Sequence, residues 1–210
     1  MERDKLLKKI DSFKDELINI RRHIHAHPEL SGLENQTAIL ISGYLKNIGG
    51  RVTESVGRTG VVADFGPKDK GFIGLRVDMD ALPIYENTNL SFSSKIDGIM
   101  HACGHDLHTC IGLGVAKIIK DLKLKFGTRI IFQPAEEIAS GARWMIDDGV
   151  TNGLKQILGV HVFPDLLVGT IGIKEGSLTA AGELTVEILG KSAHGARPHE
   201  GVDAIWAASK

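Results

Sequence analysis

Apolar residues open the chain with a helical repeat. Leu6, Ile10, Phe13, Leu17, Ile20 and Ile24 follow one another at spacings of 4, 3, 4, 3 and 4, the period of one helix face. A single helix is predicted from about Arg3 to His25, with Pro28 beyond its end. Leu7 and Ile18 widen the apolar face, so burial on a globular core is expected rather than a narrow coiled-coil seam. Ser31-Gly32-Leu33-Glu34 reads as a capping box. It opens a second predicted helix through Ile39, Tyr44, Leu45 and Ile48, closed by Gly49-Gly50.

The period then shortens. Val52–Val56, Gly60–Phe65 and Gly71–Val77 read as strands, with a turn at Gly66-Pro67-Lys68-Asp69-Lys70. The third runs into Asp78-Met79-Asp80-Ala81-Leu82-Pro83. Leu107, Ile111, Val115, Ile118 and Leu122 mark a helix ending near Lys123, and Gly112 and Gly114 inside it predict close backbone packing. Thr128–Gln133, with the apolar run Ile130-Ile131-Phe132, reads as a strand in the middle of a parallel sheet, and ends at Pro134-Ala135-Glu136-Glu137. Gly141–Asp148 reads as a short helix, Gln156–Val162 as a strand with His161 near its end, and Val168–Ile173 as a further strand. After about Thr179 the pattern changes. Glu183–Leu189 alternates like a strand with one wet face, and a helix starts from Gly201.

This β/α alternation predicts an α/β fold, a mainly parallel sheet flanked by helices over residues 1–178. Residues 179–210 begin a second domain. One strand and the start of a helix cannot bury both apolar faces, so this piece is expected to be poorly ordered or to lean on a neighbour. Strand Thr128–Gln133 and its neighbours are expected to lack a partner on one side.

Composition narrows the function. The 25 Lys and Arg nearly balance the 26 Asp and Glu, for a net charge of −1. Neither a nucleic-acid nor a membrane partner is expected. The amino terminus lacks the apolar core of a signal peptide, and the cytoplasm is the expected compartment. The two cysteines, Cys103 and Cys110, would stand about 10 Å apart on one helix, too far for a disulfide.

The densest chemistry lies in Met100-His101-Ala102-Cys103-Gly104-His105-Asp106-Leu107-His108. A thiolate and an imidazole leaving one loop suit a borderline-soft divalent metal. His23 and His27 stand one helical turn apart and are read as a solvated helix terminus. Asp80, Cys103 with His105, Glu136 with Glu137, and His161 all follow predicted strands or open a helix. They are expected to converge on one sheet edge. Gly112-Leu113-Gly114 lies mid-helix and is no dinucleotide fingerprint, and Gly190-Lys191-Ser192 lacks the glycine a phosphate loop needs.

The stretches RRHIHAHPELSG, LRVDMDALPI, MHACGHDLHT, FQPAEE, GVHVFPDLLVGT and GKSAHGARPHEGVDAI together resemble the M20-type metallo-amidohydrolases. More narrowly, they resemble the aminoacylase, hippurate hydrolase and indole-acetyl-amino-acid hydrolase branch. The resemblance implies a dinuclear-metal exopeptidase-like catalytic domain with a smaller α+β lid inserted into it. It implies Cys103, His105, Glu137 and His161 as metal ligands and Glu136 as general base. Asp80 would orient a ligand, and His194 would be a lid histidine that helps stabilise the transition state, with a homodimer formed through the lid. Two divalent ions are implied, zinc or manganese first, with cobalt or nickel also fitting. The substrate implied is a small N-acyl amino acid. An N-acetyl-diaminopimelate-type deacetylase and a non-catalytic metal-binding fragment are the alternatives. The family draws a further metal histidine, most of the lid and groups for the substrate carboxylate from segments beyond Lys210. Residues 1–210 alone are therefore expected to be a poor catalyst.

Overall fold

The computed structural model describes residues 3–122, 124–173 and 184–210. The chain divides into two units, Met1–Thr170 and Ile171–Lys210. The domain boundary expected near residue 178 lies outside the described residues.

In the first unit the opening helical pattern forms two helices, α1 (Arg3–Asp11) and α2 (Lys14–Ala26), rather than one. The break has a local cause. The Ser12 hydroxyl donates to the Lys9 carbonyl at 2.6 Å, and its N–H is shared between the Lys8 and Lys9 carbonyls. Such side-chain competition loosens a helix, and the turn lets Phe13 bury to 5% exposure.

Helix α3 (Asn35–Asn47) follows, but the capping box does not form. Glu29 caps the helix instead. Its carboxylate accepts the Gln36 N–H at 3.0 Å and the Thr37 N–H at 2.8 Å. Glu34 is fully buried and accepts the Ala135 N–H instead. Gly49, with φ +86°, ends the helix as expected.

Strands β1 (Arg51–Val56), β2 (Gly60–Phe65), β3 (Phe72–Asp78), β4 (Gly127–Gln133) and β5 (Leu154–Gly159) form one mixed sheet in the order β1-β2-β4-β3-β5. The β1–β2 and β2–β4 pairs are antiparallel, and β4–β3 and β3–β5 are parallel. The parallel part carries the chemistry. β4 pairs on both sides, contrary to expectation, because β2 takes the position beside it. The sheet's edges are β1 and β5, and on β5 Ile157 and Leu158 are 54% and 62% exposed.

One face of the sheet packs Val61, Ala63, Phe65, Val77, Ile130 and Phe132 against Ile41 and Leu45 of α3 and Leu113 and Ala116 of α4 (His105–Ile119). The other face packs Val62 and Ile131 against Met145 of α5 (Gly141–Asp147). A two-faced apolar β4 follows from this layering. Gly112 lets α4 approach the sheet. A Cβ there would stand 2.9 Å from the Phe132 ring and from Val77.

Residues 168–173 form no strand. Among the described residues the apolar run there finds no neighbouring strand, and Val168, Ile171 and Ile173 are exposed. In the second unit residues 184–190 likewise form no strand, and Glu183 lies outside the described residues. An antiparallel bridge joins Lys191 and Val202. The expected final helix begins later, at α6 (Ala204–Ala208), because Asp203 caps it by accepting the Ile205 and Trp206 N–H groups. Among the described residues no helix is long and apolar enough to cross a membrane.

Candidate active site

The carboxyl ends of β3, β4 and β5 and the start of α4 meet at one edge of the first unit. This is where open α/β sheets keep their ligands. β3 ends at Asp78 and leads through Met79 to Asp80. β4 ends at Gln133 and leads to Glu136 and Glu137. β5 ends at Gly159, two residues before His161.

His105 is at the centre and fully buried. Its Nδ1 lies 3.0 Å from the Asp80 carbonyl and 3.1 Å from Asp80 Oδ1. This assigns the ring proton to Nδ1 and leaves the Nε2 lone pair free. Nε2 stands 3.7 Å from Glu137 Oε1 and 4.0 Å from Glu136 Oε2. Cys103 Sγ is 3.5 Å from His161 Nε2. The donor atoms of Cys103, His105 and His161 all lie within 4.8 Å of one another, and so do those of His105, Glu136 and Glu137.

The backbone at the glutamate pair turns sharply. Ala135 and Ala139 have φ of +48° and +51°, a left-handed conformation rare for residues with a Cβ. In a regular strand, neighbours point to opposite faces. The bend at Ala135 lets Glu136 and Glu137 both approach His105. Glu34 secures the bend: it accepts the Ala135 N–H and the Gly32 N–H at 2.8 Å each, and the Thr59 hydroxyl at 2.5 Å.

The site is short of positive charge. Burial and the neighbouring Glu137 push the Cys103 thiol up to about 12. Burial, with Glu136 and Asp80 nearby, raises Glu137 despite the opposing pull of His105. Burial tends to lower His105, but Asp80, Asp78 and Glu137 outweigh it and raise it. Burial works to raise Asp80 as well, yet hydrogen bonds from His105, Ser31 and the Glu137 N–H hold it below its usual value. Among the described residues, His105 Nε2 and Glu137 Oε1 are buried with no hydrogen-bond partner. Two unpartnered donor atoms 3.7 Å apart, with a thiol and a second imidazole beside them, fit a divalent cation.

Asp78 and His108 also belong to this edge; the sequence shows Asp78 beside Asp80 at the strand exit and His108 in the His-Cys stretch, but assigns neither a role. His108 Nδ1 is 2.5 Å from Asp78 Oδ1. The signal was present. Asp78 stands two residues before Asp80 in the same strand exit, and His108 is three residues after His105 on one helix face. His25, between the His23 and His27 read as a solvated terminus, is buried. Its Nδ1 is 2.7 Å from Asp106 Oδ2 and its Nε2 is 3.2 Å from Glu86 Oε1. His194 lies in the second unit, exposed, where its Nδ1 accepts the Ala196 N–H at 3.2 Å.

The family model of peptidase family M20/M25/M40 matches residues 74–210. The chain belongs to this family. It is 52% identical over 199 residues to a probable hydrolase of Synechocystis, covering 92% of this chain and 51% of that protein. It is 46% identical to an N-acetyl-L-cysteine deacetylase of Bacillus subtilis, covering 96% of this chain and 49% of that protein. A crystal structure from Bacillus subtilis, described as a dinuclear metal binding peptidase of the M20 family, superposes with a TM-score of 0.75 at 48% identity. That match covers 79% of this chain and 48% of the other. The chain thus spans about half the length of the curated relatives it matches. The layered α/β architecture of the first unit is the M20 catalytic-domain fold.

Proposed function

We propose that this chain carries the metal-holding part of a hydrolase that cleaves the amide bond of N-acyl amino acids. One observation carries the reading: His105 Nε2 and Glu137 Oε1 lie buried, unpartnered among the described residues and 3.7 Å apart beside Cys103 and His161. The similarity to an N-acetyl-L-cysteine deacetylase supports the substrate class, and the similarity to a dinuclear peptidase supports two ions.

Cys103, His105, Glu137 and His161 would hold the metal. A divalent ion there supplies Lewis acidity to an amide carbonyl and to water. Zinc and manganese suit this mixed sulfur, nitrogen and oxygen set, and cobalt and nickel fit as well. Asp80 keeps His105 in the tautomer that presents Nε2.

Glu136 is the base. Its side chain is 38% exposed, against 18% for Glu137, so it reaches the solvent side of the site. It takes a proton from water as the oxygen adds to the carbonyl carbon. It returns that proton to the nitrogen as the C–N bond breaks, leaving a carboxylate and a free amino acid. Arg76 Nη2 lies 4.0 Å from Glu136 Oε1. His194 keeps its transition-state role, and residues 179–210 their role in pairing two copies, on the family resemblance alone. Both cysteines are free thiols, which suits a cytoplasmic setting.

The test is an assay of free amino acid released from a panel of N-acetyl amino acids, with N-acetyl-diaminopimelate included, by the metal-loaded protein. Release that needs metal and is lost with Glu136→Gln is expected. Bound metal with no release from any member, even when the chain is extended to its relatives' length, would leave a metal-binding fragment.

A further inference from the structure

His161 has a weak local tether. It follows an edge strand, its side chain is exposed, and its Nδ1 is spent on the carbonyl of its own neighbour Val162, at 2.7 Å. Yet its Nε2 must meet Cys103 and His105. The backbone around it is held at two points. The Val160 N–H donates to the Arg76 carbonyl at 3.3 Å, and the Val162 N–H donates to His108 Nε2 at 2.8 Å.

We propose that His108 is a positioning residue. Held by Asp78, it accepts the Val162 N–H and so fixes the backbone that aims His161 at Cys103 and His105. This rests on the reading of those three residues as metal ligands.

The bonding pattern assigns the tautomer. An N–H arriving at Nε2 requires a lone pair there, so the proton is on Nδ1 and is donated to Asp78 Oδ1 at 2.5 Å. Asp78 is itself fixed: it is fully buried, and its second oxygen pairs with Arg76 Nη1 at 2.7 Å. His108 is fully buried and its ring lies 4.7 Å from that of His161, centroid to centroid. A planar ring with two torsions spans the gap from a strand end to a loop rigidly. Gly104 completes the hold. A Cβ there would stand 2.7 Å from Val162 Cγ2, so only glycine lets Val162 close over the start of α4.

The donor atoms of Asp78, His105 and His108 also lie within 4.8 Å of one another. They make no separate metal site, because both nitrogens of His108 are already engaged. An ion there would have to break the bond to Asp78 or the bond to Val162.

The test uses the 210-residue chain, first without metal and then titrated with cobalt(II) alone. Long-range proton–nitrogen spectra report the His108 tautomer, and amide exchange reports the Val162 N–H. We expect the Nδ1-protonated form and a protected Val162 amide, exchanging at least about tenfold faster in His108→Phe, which keeps volume but offers no acceptor. Cobalt affinity should fall about 10–100-fold in His108→Phe, with a weaker thiolate-to-cobalt absorption band. His108→Gln, which restores an acceptor, should recover part of both. Unchanged Val162 exchange in His108→Phe would overturn the proposal. So would a loss of cobalt affinity that His108→Gln leaves unrecovered and that tracks the urea-unfolding midpoint. If His161→Ala and Cys103→Ala bind cobalt as the parent does, the ligand reading fails instead. The tautomer and exchange results then still decide the hold.

Discussion

Asp80 Oδ1 stands 3.1 Å from His105 Nδ1, while its other oxygen accepts the Glu137 N–H at 3.0 Å and the Ser31 hydroxyl at 2.6 Å. One carboxylate therefore sets the ring of one proposed ligand and the backbone of another, 57 residues away in sequence. Replacing Asp80 with Asn keeps the shape but weakens its hold on both. Metal affinity should fall about 10–100-fold with the helix content unchanged. Cobalt titration beside circular dichroism checks this, and unaltered affinity would remove Asp80 from the site.

Glu136 and Glu137 are adjacent, yet opposite outcomes are expected from them. Glu136→Gln should retain metal and cut turnover of the complete enzyme by about 10²–10⁴-fold. Glu137→Gln removes a carboxylate 3.7 Å from His105 Nε2 and should lower metal content itself. Metal analysis and rate, measured on the same samples, separate the two. A reversed pattern would exchange their roles.

Much of this edge was legible in the sequence because the residue types sit at strand exits. Asp80, Glu136 with Glu137, and His161 each follow an apolar run, and Cys103 with His105 opens a helix. What escaped was pairing across distance. The Asp78–His108 and His25–Asp106 bonds join residues 30 and 81 positions apart, and no local pattern encodes them. Glu34 misled for a related reason. Its spacing from Ser31 fits a capping box, but Ser31 bonds Asp80 and Glu34 bonds Ala135. The strand expected over Val168–Ile173 failed because β propensity needs a partner, and none is in reach there among the described residues.

Glu34 should be among the more costly single changes. Its buried carboxylate holds two backbone N–H groups and a hydroxyl, and hydrogen bonds to a charged group are worth about 1.5–3 kcal/mol each. Glu34→Ala leaves those donors unpaired, and a loss of at least about 3 kcal/mol of folding stability is expected. Glu34→Gln should cost less. Urea unfolding of both variants is the measurement, and a change below about 1 kcal/mol in Glu34→Ala would show that water replaces the carboxylate.

The buried His25 network gives the fold a pH signature. The Asp106 hydrogen bond is the main influence on His25, burial opposes it and Glu86 assists it, and the net result is a pKa above the ordinary 6.5. Asp106 is held below 3.8: burial would raise it, but the His25 hydrogen bond, the nearby His101 and Arg21 prevail. Glu86 falls to about 2 despite burial, because Thr88, the Ser94 N–H and His25 bond its carboxylate. The signs then follow. A raised imidazole contributes stability that is fully present below its unfolded pKa of 6.5 and is lost as pH rises through its higher folded value. The two lowered carboxylates contribute stability present above their unfolded values of 3.8 and 4.5, lost as pH falls through their lower folded values. The network is strongest at about pH 5–6, and it weakens towards pH 8 from the histidine side. The urea midpoint of the parent chain, less that of His25→Gln, should therefore shrink steadily from pH 6 to pH 8.5. Glutamine cannot carry the charge and removes this dependence. A difference that stays flat across that range would mean that His25 is neutral in the folded protein and that Arg21, 2.8 Å from Asp106, balances the carboxylate alone.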